Sequence, residues 1–140
     1  MKLPETIETD LARLIESGLK LPAGSVQTGG AENWPKTTTN PAPRVSLAVE
    51  YQQKPDVNSL WARVLLACSL EYVDGYTDRT RLLSFAARVA TTLEDHAPAL
   101  PYVITAGVDA APALDFDTVH PFTSQTVLLR IYDNQPNQEG

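Results

Sequence analysis

The sequence predicts an α+β fold in which two amphipathic helices pack on one face of an antiparallel sheet of about four strands. Two segments repeat apolar residues at helical spacing, whereas other segments alternate apolar and polar residues or are rich in β-branched ones. The link between the first two predicted strands is short, which is typical of an antiparallel hairpin. The expected element order is α-β-β-α-β-β in one domain over residues 1–140, with a long loop after the first helix.

The first helix is predicted over residues 4–17. Its apolar side chains recur every three or four positions and form one stripe: Ile7, Leu11, Leu14 and Ile15. Pro4 suits the first helical turn, and Gly18 is a residue type at which helices commonly end.

A long irregular arm is predicted over residues 21–43, because proline and glycine interrupt every periodic pattern there. A loop of this length is uncommon inside a compact domain, so the arm is expected to be mobile or ordered by another chain. Trp34 lies in the middle of the arm. Its large apolar surface favours burial, either against its own domain or as an anchor on a neighbouring subunit.

Two strands follow the arm. Residues 45–51 alternate apolar and polar side chains, and the alternation continues over residues 60–72 after a turn. The second strand has an unusual second face, because Trp61, Leu65 and Ala67 are apolar where a solvent-facing strand is normally polar. This face is expected to be covered by the arm or by another subunit.

The remaining elements are a helix and two strands. The helix is predicted from Thr77 or Asp78 to about residue 96, before Pro98. A short strand is expected over residues 102–105, a loop over 110–121, and a last strand over 126–132. Residues 134–140 form a polar tail that is expected to be flexible.

The composition argues against several functional classes. The net charge of −6 disfavours nonspecific binding to nucleic acids. The single cysteine, Cys68, lies in an apolar run and is predicted to be a buried thiol. The N-terminus has no apolar core of a secretory signal, and no run is long enough to span a membrane, so synthesis and folding in a cytoplasm are expected.

The sequence contains no clear catalytic motif. Glycine-rich phosphate loops and His or Cys pairs at metal-ligand spacing are missing from it. Asp115, Asp117 and His120 together resemble a metal or proton-transfer site, but Asp-x-Asp beside proline is also common in turns. We therefore expect no enzyme activity, no cofactor and no metal.

The informative features are surfaces for assembly. The residues predicted to lie at subunit interfaces come from the arm, the second strand and the acidic segment before the last strand: Trp34, Pro35, Trp61, Arg63, Leu65, Asp115 and Asp117.

The chain resembles the tail terminator, or tail completion, proteins of long-tailed bacteriophages. The resemblance lies in length, element order and the pattern of three segments. These are the strand pair from RVSLAVEY at residues 44–51 through Trp61 to Tyr72, the helix RTRLLSFAARVATTL at residues 79–93, and the closing strand at 126–132. With the first helix they cover most of the chain, but they include no diagnostic motif.

The resemblance implies an α+β subunit of a hexameric ring in the virion. Such a ring caps the tail tube protein and presents a surface to the head–tail connector or head completion protein. DNA passes through the lumen without specific binding, which an acidic subunit would favour.

Other hypotheses remain open from the residues alone. Another neck or tail-end component would share the same features. A cytoplasmic domain that binds a small ligand or acts as a regulator would have a pocket between helices and sheet. A small hydrolase using Asp115, Asp117 and His120 is a third alternative.

Overall fold

The computed structural model describes residues 4–22, 24–29, 43–51, 59–70, 79–115 and 122–132. The arm is therefore outside the described residues from position 30 to 42, and so is the tail from position 133. The described elements are α1 (Pro4–Leu19), β1 (Val26–Thr28), β2 (Pro43–Tyr51), β3 (Ser59–Leu70), α2 (Arg79–His96), a 3₁₀ turn (Ala97–Ala99), β4 (Val103–Asp115) and β5 (Phe122–Tyr132). The predicted α+β class is confirmed.

The sheet is mixed and has five strands in the order β1-β2-β3-β5-β4. The prediction of about four antiparallel strands was wrong in this respect, because β1 lies inside the segment predicted to be irregular and pairs in parallel with β2. Ser25 O accepts the Val45 N–H at 3.0 Å, and Leu47 O accepts the Gly29 N–H at 3.1 Å. Three residues are too few to show a strand period in a sequence.

The third and fourth predicted strands are longer than expected. Residues 110–115 belong to β4, where a loop was predicted, and β5 begins at Phe122. The register between β4 and β5 shifts at three places between Val103 and Ala113. The last of these shifts, between Ala110 and Ala113, contains Pro112, and an edge strand tolerates its missing N–H.

The core lies between the two helices and one face of the sheet. α1 packs on β1, β2 and α2, and α2 packs on β3, β4 and β5. The largest fully buried side chains come from both helices, from β2 and β5, and from the residue just before β4: Tyr102, Ile7, Leu11, Ile15, Leu47, Leu82, Leu93, Leu129 and Ile131. None of the described helices is long and apolar enough to cross a membrane.

The end of α1 differs from the prediction. The helix continues through Gly18 to Leu19, and Lys20 takes the left-handed conformation that ends it, with φ of 55°. Leu21 N–H donates to Glu16 O at 2.9 Å, the hydrogen bond of a Schellman motif. Gly18 instead permits close packing of the helices, because a Cβ there would lie 2.7 Å from Thr92 Cγ2.

Two carboxylates of α1 bind backbone N–H groups at the β1–β2 edge of the sheet. Glu16 Oε2 accepts from Gly24 and Val26, each at 3.2 Å. Glu8, which is 7% exposed, accepts from the Val49 N–H at 2.9 Å. Val49 lies beyond the last pair of β1 with β2, so Glu8 supplies the acceptor that a longer β1 would have provided.

Glu8→Ala is expected to lower the free energy of unfolding by about 2 kcal/mol, because it leaves a buried N–H without an acceptor. Glu8→Gln keeps an oxygen at the same place and should cost less. Urea denaturation measures both values, and hydrogen exchange of the Val49 amide should become faster in the alanine variant alone. Equal losses for the two variants would show that the hydrogen bond to Val49 is not the cause.

Candidate assembly surface

The face of the sheet opposite the helices is here called the outer face. The strand register places three sets of side chains on it: Arg44, Ser46, Ala48 and Glu50 of β2; Trp61, Arg63, Leu65, Ala67 and Ser69 of β3; and Ser124, Thr126, Leu128, Arg130 and Tyr132 of β5. The described helices pack on the opposite face, where the core lies.

The outer face has a buried half and an open half. Arg44, Ser46, Ala67 and Ser69 are buried, with 0–6% exposure, although three of them are polar. The open half consists of partly or fully exposed residues, namely Glu50, Trp61, Arg63, Leu65, Leu128, Arg130 and Tyr132. Tyr132 is 45% exposed, which is high for a large aromatic side chain in a strand.

Two charged contacts cross the open half. The Arg130 guanidinium carbon lies 5.8 Å from the centre of the Trp61 ring, directly across the β3–β5 pair. Arg63 and Glu50 face each other across β2–β3, with a nitrogen–oxygen distance of 3.8 Å. Both side chains of this pair are well exposed, so it adds little to stability. Trp61 therefore lies next to Arg63 on its own strand and opposite Arg130, and this mixture of apolar and charged side chains is common at protein interfaces.

A shallow depression of about 220 Å³ lies at the β4–β5 side of the open half. Its lining is Trp61, Thr105, Ala106, Gly107, Val108, Asp109 and Leu128, and it is here called the pit. Gly107 pairs with Leu128, so the missing side chain of this glycine leaves space beside a leucine and a tryptophan. Asp109 contributes a carboxylate, one oxygen of which lies 3.5 Å from Thr126 Oγ1.

Both edges of the sheet carry features that oppose further strand pairing. On β4, Glu94 Oε2 lies 3.4 Å from the Val108 nitrogen, and Pro112 and the register shifts break the regular N–H row. On the opposite edge, Glu8 already accepts the Val49 N–H. Such features are the usual means of preventing edge-to-edge association. The open half of the outer face is therefore better suited to a partner than either edge.

A buried polar chain links the sheet to α2 on the core side. Gln125, 3% exposed, donates from Nε2 to Ala86 O at 2.7 Å and accepts from Thr123 Oγ1 at 3.0 Å. Burial raises the pKa of the neighbouring Cys68 thiol to about 12, and the hydrogen bond with Thr123 offsets this only partly. The thiol is therefore protonated at neutral pH, and the predicted buried cysteine is confirmed.

The predicted interface residues divide into two groups. Trp61, Arg63 and Leu65 lie side by side on the open half, as the alternation in β3 indicated. Asp115 is the last residue of β4, opposite Phe122, and only its backbone is described. Trp34, Pro35, Asp117 and His120 lie outside the described residues, so the structure does not test their predicted roles. Among the described residues, no group of three His, Cys, Asp or Glu side chains is placed to hold a metal ion.

Sequence reasoning missed Leu128, Arg130, Gly107 and Asp109. The sequence did contain a signal for Leu128, because its side chain falls on the opposite face of β5 from those of Val127 and Leu129. An apolar residue on the solvent phase of a strand indicates a covered or interacting face. Gly107 and Asp109 carried no signal, because β4 was not recognised as a strand over that range.

Comparisons with known proteins give no family for this chain. No protein-family model matches it, and no curated protein matches it either.

Proposed function

We propose that this protein is a structural subunit of the tail end or neck of a long-tailed bacteriophage. It assembles into a closed ring, expected to have six subunits, that caps the tail tube and meets the head connector. The proposal rests on the sequence resemblance and on one structural observation. That observation is the open half of the outer face, where Trp61, Leu65 and Leu128 are only partly covered.

The composition of the open half supports a protein partner. Tryptophan, tyrosine and arginine are the residue types most enriched among the energetically dominant residues of interfaces. Here Trp61 pairs with Arg130 and Arg63 pairs with Leu128 on two neighbouring strands, while Tyr132 and Leu65 lie at the two ends of this cluster. Burying one large apolar side chain contributes about 1.5–3 kcal/mol, so a few such residues are enough to hold a subunit contact.

A ring needs two different, complementary surfaces on each subunit, since its contacts run head to tail. The guarded edges of the sheet oppose an interface made by adding strands, whereas the outer face presents apolar and charged side chains together. We infer that one side of the ring contact is the open half and that the other side is a different part of the neighbouring subunit.

The acidic character of the subunit is compatible with the proposed passage of DNA. A net charge of −6 per subunit, repeated around a ring, repels the phosphate backbone. DNA can then move through the lumen without binding to its wall.

The ring is tested by measuring mass and shape in solution. The purified chain should give a species of about six times the 15.3 kDa subunit mass by light scattering. Negative-stain images should show a ring with a central hole. Trp61→Ala should dissociate it, whereas Arg13→Ala, on the exposed side of α1, should leave it intact. A chain that stays monomeric at the highest soluble concentration, alone and with tail tubes, would refute the proposal.

A further inference from the structure

We propose that the pit on the outer face receives Trp34 from the arm of a neighbouring copy of the chain. This rests on the proposed ring, and it assigns the two surfaces of the subunit contact. The pit is the acceptor, and residues 30–42 are the donor.

The chemistry of the pit suits an indole ring. Leu128 and Trp61 supply apolar walls, and Gly107 leaves the space between them. The pit has a volume of about 220 Å³ and is open to solvent, so an indole ring in it would be covered on one side only. Asp109 lies at the wall with a carboxylate, and the indole N–H of tryptophan is a donor that is usually bonded when buried. Trp34 is the only tryptophan in the sequence other than Trp61.

The described ends of the arm and the pit lie towards opposite edges of the sheet. The arm leaves from Gly29 after β1 and returns at Pro43 in β2, which are the first two strands in the sheet order. The pit is lined by β3, β5 and β4, which are the last three. A head-to-tail contact joins two different surfaces of the subunit, and a contact between the β1 side of one copy and the β4 side of the next meets that requirement.

The arm is long enough to reach a neighbour. Gly29 is bonded to Leu47 O, so the two ends of the arm are attached to β2 about four residues apart, or roughly 13 Å. Trp34 is five residues from Gly29, so its Cα can lie up to about 17 Å from that attached end. The pit of the neighbouring subunit must therefore lie within that distance of Gly29.

The test uses one variant for each half of the contact. Gly107→Leu fills the pit, and its Cβ would approach only Glu94 Oε2, at an ordinary 4.0 Å. Because leucine also suits a strand better than glycine, the fold should be retained. Trp34→Ala removes the donor. Each variant alone is expected to be monomeric by light scattering, with the circular dichroism of the wild type, whereas the control Ala111→Leu, exposed on β4 but outside the pit, should assemble normally.

Mixing the two variants separates a contact between copies from one within a single chain. The Gly107→Leu chain has an intact arm and the Trp34→Ala chain has an intact pit, so an equimolar mixture should form heterodimers and no larger species. If Trp34 instead occupies the pit of its own chain, mixing will produce only monomers, and the proposal is overturned. If the Gly107→Leu variant still forms the ring that the wild type forms, the docking site is wrong but the ring is not. If the wild type forms no closed ring and the two variants still form heterodimers, the docking site is supported and the proposed function is wrong.

Discussion

Leu129→Ala is expected to destabilise the subunit by about 3 kcal/mol, whereas Leu128→Ala, one residue earlier, should change its stability by less than about 1 kcal/mol. Leu129 is fully buried against the helices and pairs with Ala62 in the centre of the sheet. Removing its side chain loses transfer free energy and leaves a cavity that the surrounding core cannot fully close. Leu128 points to the outer face and is only partly buried, so truncation there removes surface that already contacts solvent.

The same two variants should have the opposite order of effect on assembly. Leu128 lines the pit, so Leu128→Ala should shift the oligomer towards monomers at a concentration where the wild type is assembled. Leu129→Ala should assemble at temperatures where it remains folded. Urea denaturation and light scattering give the two readouts. If each variant loses assembly in proportion to its loss of folding stability, the outer face is not an interface and Leu128 has only a structural role.

Gln125→Glu is expected to cost about 3 kcal/mol at pH 7, although glutamine and glutamate have nearly the same shape. The side chain is 3% exposed, and its Nε2 donates to Ala86 O at 2.7 Å. A carboxylate there would place a negative oxygen against a carbonyl oxygen and leave a buried charge without a partner. Gln125→Met, which removes polarity without adding charge, should cost less and serves as the control.

The cost of Gln125→Glu should depend on pH. Burial raises the pKa of the introduced carboxyl above its unfolded value of about 4.3. The native state then binds more protons than the unfolded state, so the stability of the variant falls as the pH rises from that value. The difference from wild type should therefore be small near pH 4, where the protonated carboxyl can donate to Ala86 O, and largest at pH 7. Denaturation at the two pH values measures this, and a difference that does not vary with pH would contradict the buried-charge explanation.

The strong periodic patterns in the sequence were sufficient to predict most of the fold. The alternation in β2 and β3 and the apolar stripes of α1 and α2 appear in the structure at nearly the expected positions. The errors occur where pairing partners determine the structure. β1 has three residues, and it forms because β2 lies beside it and Glu16 accepts the Val26 N–H. The strand predicted over residues 102–105 was too short, and residues 110–121 were predicted to be a loop because of Pro112 and Pro121, although an edge strand with register shifts accommodates Pro112.

The sequence predicted which residues of one strand share the candidate surface, but not which residues of other strands lie beside them. Trp61, Arg63 and Leu65 follow from the phase of β3, and their shared face is confirmed. Their neighbours depend on register, since the contact of Trp61 with Arg130 requires knowing that β3 pairs with β5 and at which offset. No local pattern in a sequence carries that information, because the two residues are far apart along the chain.

The carboxylates of α1 have a consequence for how the protein must be handled. Glu8 and Glu16 occupy N–H groups that would otherwise be available to any extended chain. If the N-terminal helix detaches, the edge of β2 is exposed, and other chains can add to it as strands of a cross-β fibril. Preparations that lose this helix by proteolysis are therefore expected to form fibrils and bind thioflavin T, while intact material stays in solution.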